Sequence, residues 1–134
     1  MTSSSSVPIL TLRNISKSFG PIEVLHRVDL DVHAGEVVAL LGENGAGKST
    51  LSNIMSGAVL PSSGKMTWLG APYAPATPKE AIEAGVGMIQ QELLLLPQLS
   101  IAENMFVGRY PTKAGRVDRG EMRRRARQVL DRLG

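Results

Sequence analysis

The sequence predicts an α/β fold, with an antiparallel β layer ahead of it and the start of a helical segment behind it. Three observations predict this. Apolar and polar residues alternate over 9–32, as they do in half-buried strands. A wholly apolar run, "VVALL" at 37–41, feeds a glycine-rich loop that opens into a helical pattern. Short apolar runs and capped helical patterns then follow one another to residue 134.

Composition narrows the possibilities. Hydrophobic residues make up 43% and aromatics only 4%, so aliphatic side chains must build the core. With no cysteine, disulfides and thiolate metal sites are excluded, which fits a reducing compartment. The net charge is +3, and the basic excess concentrates at Arg116, Arg119, Arg123, Arg124, Arg125, Arg127 and Arg132. "MRRRARQVLDRLG" contains no interleaved aromatics, so it reads as a solvated helix face and no nucleic-acid partner is expected. The opening "MTSSSSVP" reads as a flexible tail over 1–8, without the features of a signal peptide. No apolar run approaches the ~20 residues that cross a bilayer, so membrane association is expected to go through a partner.

"ILTLRNIS" and "EVLHRVDLDVH" alternate, the second through Val24, Val28, Leu30 and Val32. "AGE" at 34–36 is a turn, and "VVALL" is expected to be a strand covered on both faces. "KSTLSNIMSG" places Leu51, Ile54 and Met55 at helical spacing, with Gly57 as the stop. "PSSG" at 61–64 is a turn before the short strand "KMTWLG". "TPKEAIEAG" has Thr77 as N-cap, Pro78 at the first helical position and Glu80 three residues after the cap. "VGMI" at 86–89 reads as a strand and "YPTKAG" as a loop. Ser100 and Glu103 form a capping box for "IAENMFVG". From about Asp118, Met122, Ala126, Val129, Leu130 and Leu133 form one helical stripe. His26 and His33 lack partners at ligand spacing and read as structural or exposed.

The chemistry centres on "LLGENGAGKST" at 40–50, which meets G-x-x-x-x-G-K-[ST] with Gly42, Gly47, Lys48 and Ser49. Glycines permit positive φ angles and bring bare N–H groups close to an anion. The loop ends at a helix N-terminus, where unpaired N–H groups carry partial positive charge. Lys48 adds a full charge able to reach β- and γ-phosphates. The Ser49 hydroxyl suits a hard cation such as Mg²⁺, and Thr50 adds a further hydroxyl and N–H.

The neighbouring residues carry a more specific likeness. "LLGENGAGKSTL" resembles the Walker A segment of ATP-binding cassette (ABC) ATPases. "GVGMIQQELLLLPQLSIAENMFVGR" at 85–109 resembles the ATPase subunits of bacterial monosaccharide importers of the ribose, galactose and xylose type. The resemblance covers about 9–134 and implies a P-loop NTPase core of ABC type that binds ATP and Mg²⁺. It implies that Gly42, Glu43, Asn44, Gly45, Ala46, Gly47, Lys48, Ser49 and Thr50 hold the nucleotide, with Lys48 and Gln91 catalytic and Ser49 and Gln91 near the metal. Gln91 in "QQEL" matches the Q-loop glutamine; the competing reading is a solvated loop amide, with Gln90 the weaker occupant of the role. Phe19 in "SKSFG" matches the aromatic residue that stacks on adenine; the competing reading is a core residue at a strand end. The stretch after Gln91, including "LLLLP" at 93–97, is implied to dock a membrane permease subunit, against the alternative that it is buried core.

No apolar run ending in Asp–Glu, no "LSGGQ"-like signature and no histidine after Gln91 occur in the 134 residues. The resemblance therefore implies part of the first of two tandem cassettes, covering 9–134 and incomplete before the signature and Walker B segments. The expected function is that of an ATPase subunit energising sugar import at the cytoplasmic face of the membrane, with a second cassette as partner. These residues alone are expected to be inactive in hydrolysis. The alternatives are a nucleotide-binding fragment without catalysis and a non-transport ABC protein.

Overall fold

The computed structural model describes residues 6–92 and 95–134. They fall into two compact units, the first running to Ile89 and the second comprising Gln90–Gly134.

In the first unit, β1 (Leu10–Phe19) pairs antiparallel with β2 (Ile22–Val32) through the two-residue turn Gly20–Pro21. On its other side β1 pairs with β3 (Ser63–Trp68), which pairs with β4 (Ala71–Tyr73). The four-stranded order is β2-β1-β3-β4, all antiparallel neighbours, which is the expected β layer. Leu10, Leu12 and Ile15 face its core together with Leu25, Met66 and Tyr73. Register shifts along β1–β2 break strict alternation, so Leu25, rather than the expected Val24, is the buried residue near the turn.

Helix α1 (Lys48–Met55) adds Leu51 and Ile54 to this core. It ends at Ser56, with Gly57 in the left-handed region (φ +75°), where a Cβ would meet the Thr77 carbonyl oxygen at 2.5 Å. The Tyr73 hydroxyl donates to Met55 O at 2.8 Å, tying β4 to α1. Helix α2 (Pro78–Ala84) starts as its sequence directs: Thr77 Oγ1 accepts from Glu80 N, and Glu80 Oε2 accepts from Ala76 N at 2.9 Å. Trp68 Nε1 donates to Ala84 O at 2.8 Å and fastens the far end of α2 to β3.

Two expected strands are absent. Residues 37–41 have no strand pairing; Val37 is 96% and Leu41 91% exposed. Residues 86–89 likewise form no strand, and Ile89 is 97% exposed. An apolar run becomes a strand only when a neighbour takes its backbone hydrogen bonds, and among the described residues none lies alongside either segment.

In the second unit, α3 (Ile101–Met105) opens with a complete capping box between Ser100 and Glu103. The expected loop at 110–115 is in part a minimal hairpin that runs on past it, β5 (Thr112–Lys113) and β6 (Arg116–Val117). Helix α4 (Arg119–Leu133) is capped by Asp118, whose Oδ1 accepts from Glu121 N at 2.9 Å. Met122 and Ala126 of its stripe are buried, whereas Val129, Leu130 and Leu133 remain exposed. No helix among the described residues is long and apolar enough to cross a membrane.

Candidate functional site

The glycine loop leaves the unpaired segment at 37–41 and turns back on itself, Ala46 N donating to Glu43 O at 3.1 Å. Gly45 and Gly47 have φ of +87° and +88°. A Cβ on Gly47 would stand 2.6 Å from Leu25 Cδ2 and 3.0 Å from Val24 O, so β2 backs the loop and only glycine fits there. A Cβ on Gly42 would meet that of Ala46 at 3.1 Å. These contacts give the glycine spacing a physical cause on both sides of the loop.

Helix α1 begins at Lys48 without a side-chain cap. Its first backbone bond runs from Leu51 N to Gly47 O at 2.9 Å. The N–H groups of Lys48, Ser49 and Thr50 are the orphan donors of its first turn, at the positive end of the helix dipole. Lys48 Nζ donates to the carbonyl oxygens of Gly42 and Glu43, drawing the ammonium across the loop. A cleft of about 160 Å³ opens here, bounded by Val24 on one side and Asn44, Gly45 and 47–50 on the other.

This donor set fits a phosphate chain: uncapped first-turn N–H groups and two left-handed glycines line one concavity, and the Lys48 ammonium is held on carbonyls of the same loop. For a divalent cation the loop offers the Ser49 hydroxyl. Among the described residues no group of three or more His, Cys, Asp or Glu side chains is placed to hold a metal. A cation at this loop would therefore take most of its oxygens from the phosphates themselves.

Phe19 ends β1 beside the turn and is 50% exposed, which disfavours the core reading of that residue. Lys17 Nζ stands over its ring, 5.0 Å from the centroid. Because Val24 and Leu25 lie close to the same turn, the aromatic ring and the loop occupy the same end of the hairpin. Neither Lys17 nor the backing role of β2 was expected from the sequence. The two-residue offset from Lys17 to Phe19 along a strand was the available signal, since such residues share a face.

Gln90 and Gln91 open the second unit, both exposed. Of "LLLLP", Leu93 and Leu94 lie outside the described residues, while Leu95 and Leu96 are exposed. With Pro97, Leu99, Ile101 and Met105 they line an apolar depression of about 390 Å³. Asn104 holds its wall: its Oδ1 accepts from Leu96 N at 2.8 Å, and its Nδ2 donates to the carbonyls of Leu96, Leu99 and Ser100, each at 3.1 Å. An asparagine inside a short helix, where it is a poor helix former, was the overlooked sequence signal. His26 and His33 make surface pairs with Glu23 and Glu36, each at 3.1 Å. Of the arginines, Arg124 and Arg125 both bind Glu121, whose carboxyl they hold down at about 2.

Comparison with known proteins places this geometry among relatives. The ABC transporter family profile matches residues 25–134. The ribose import ATP-binding protein RbsA 2 of Escherichia coli O157:H7 is 48% identical over 130 residues, covering 97% of this chain and 26% of that protein. RbsA 3 of Rhizobium meliloti (strain 1021) is 48% identical over 126 residues, covering 94% and 24%. The chain thus spans about a quarter of the length of the curated relatives it matches. Among solved structures, an ATP-binding cassette of an ABC transporter, MJ1267, matches with a TM-score of 0.79 at 26% identity over 94% of this chain and 54% of that one. The dimeric post-hydrolysis cassette MJ0796, bound to ADP and Pi, matches with a TM-score of 0.69 at 27% identity over 91% and 56%.

Proposed function

Because the chain belongs to the ABC transporter family, we propose that its glycine loop grips the triphosphate of ATP and that this cassette energises sugar import. The observation that carries the reading is the set of uncapped first-turn donors at 48–50 facing the same cleft as Gly45 and Lys48. The sugar is inferred from relatives named as ribose import ATP-binding proteins.

The residues take distinct roles. Gly42, Glu43, Asn44, Gly45, Ala46 and Gly47 shape the cradle, and Lys48, Ser49 and Thr50 supply its helix-end donors. Phe19 stacks on the base. Lys48 exchanges a loop carbonyl for phosphate oxygens and offsets their charge. Ser49 is the loop residue that would hold Mg²⁺, which, when bound, would neutralise developing charge on the phosphates; Gln91 keeps the Q-loop role that its resemblance implies. A second cassette and a membrane permease, the latter docking after Gln91, are the expected partners, with the work done at the cytoplasmic face of the membrane.

The exposure of Val37 and Leu41, which leaves the segment feeding the loop unpaired, favours a second reading for these 134 residues, nucleotide binding without turnover. Calorimetric titration with MgATP tests the first step of both. Lys48→Ala is expected to remove about 1.5–3 kcal/mol of charge-assisted bonding, or roughly 10- to 100-fold in affinity. An unchanged affinity would remove the phosphate assignment. Phosphate release above that of Lys48→Ala would decide against the binding-only reading.

A further inference from the structure

We propose that Lys17 is a positioning residue for the nucleotide base: its ammonium occupies one face of Phe19 and leaves the other for adenine. The inference rests on the ATP-binding reading above and adds a residue to it. Lys17 Nζ lies 5.0 Å from the Phe19 ring centroid, within cation–π range. The ring is half exposed, so a planar ligand can reach it.

The placement ties this pair to the loop. Lys17 stands opposite Leu25 in the β1–β2 register. Leu25 is the side chain that closes the space behind Gly47. A base stacked on Phe19 and a phosphate chain in the cleft would therefore be held by the two ends of one short structural path.

Two physical effects follow. An ammonium over one face restricts the ring and directs a stacking ligand to the opposite face. It also draws π density toward itself, so the open face repels an electron-rich purine less. Lys17 thus acts through Phe19 on the base and has no part in holding phosphate.

The test titrates the 134-residue chain with MgATP and, separately, with inorganic tripolyphosphate and Mg²⁺, using Lys17→Met, Lys17→Arg and Phe19→Ala, with circular dichroism confirming that each variant is folded. Lys17→Met is expected to weaken MgATP about two- to fivefold, the cost of ordering on binding a ring that Lys17 no longer holds. Lys17→Arg should restore most of the loss. Tripolyphosphate binding should not change, and Lys17→Met should cost nothing further once Phe19 is alanine. An equal loss for tripolyphosphate, or a loss that persists without Phe19, would overturn the proposal and make Lys17 a phosphate contact. Tripolyphosphate binding with MgATP indifferent to Lys17→Met would also overturn it while leaving the loop assignment intact. Failure of both probes to bind would overturn both.

Discussion

The start of β1, where apolar and polar residues alternate, and the wholly apolar segment at 37–41 meet opposite fates. Leu10, Leu12 and Ile15 are buried, with β1 bonded to β2 on one side and β3 on the other. Val37 and Leu41 are almost wholly exposed, and no strand among the described residues pairs with their backbone. Hydrophobicity therefore marks a segment as needing cover without providing it. Pairing decides, because an extended backbone with unbonded N–H and C=O groups gains nothing from leaving water.

The largest expected effect tests that contrast directly. Ile15→Ala should destabilise the first unit by about 2–5 kcal/mol, since it empties a fully buried site. Val37→Ala should stay within about 0.5 kcal/mol, as for an exposed position. Urea midpoints for both variants give the comparison. If Val37→Ala approaches the loss from Ile15→Ala, residues 37–41 are paired in solution and the contrast fails.

This contrast also explains what the sequence made legible. Elements set by local rules were readable: Thr77 and Ser100 cap their helices as their spacing directs, and Gly57 follows the end of α1. The glycine loop was readable for the same reason, because the positive φ of Gly45 and Gly47 and the helix start at Lys48 follow from neighbours in the chain. Contacts between distant residues were less legible. The seating of Gly47 against Leu25 spans 22 residues of chain, and the Trp68 bond to Ala84 spans 16. Residues 37–41 and 86–89 misled because their pattern records what a strand requires, while pairing depends on residues elsewhere.

A cap lies between a core residue and a surface pair in expected size. Ser100→Ala removes the Oγ that accepts from Glu103 N and donates to Glu103 Oε2. The loss should be about 1 kcal/mol in the second unit, typical of a lost N-cap. Those bonds also hold the Glu103 carboxyl below its ordinary range, the Ser100 hydroxyl contributing most. Hydrogen exchange at the amides of 101–105 would report the loss locally. Equal protection in the variant would mean that α3 is held by packing and that the local rule does not govern it.

The smallest effect belongs to a purely local, solvent-facing contact. Glu121 accepts from Arg124 Nε at 2.8 Å and from Arg125 Nε at 2.6 Å. Arg124, and then Arg125, lower its pKa from 4.5 to about 2. A carboxylate held low in the folded state adds stability that is fully present above 4.5 and is lost as pH falls through about 2. The helical signal of α4 should therefore weaken over that acid window, and Glu121→Gln should remove this part of the pH dependence. Salt should shrink the effect, because water and ions screen an exposed pair. A pH response that resists salt would instead place this carboxylate in a covered environment, giving the arginine-rich face the kind of cover that β1 has and 37–41 lacks.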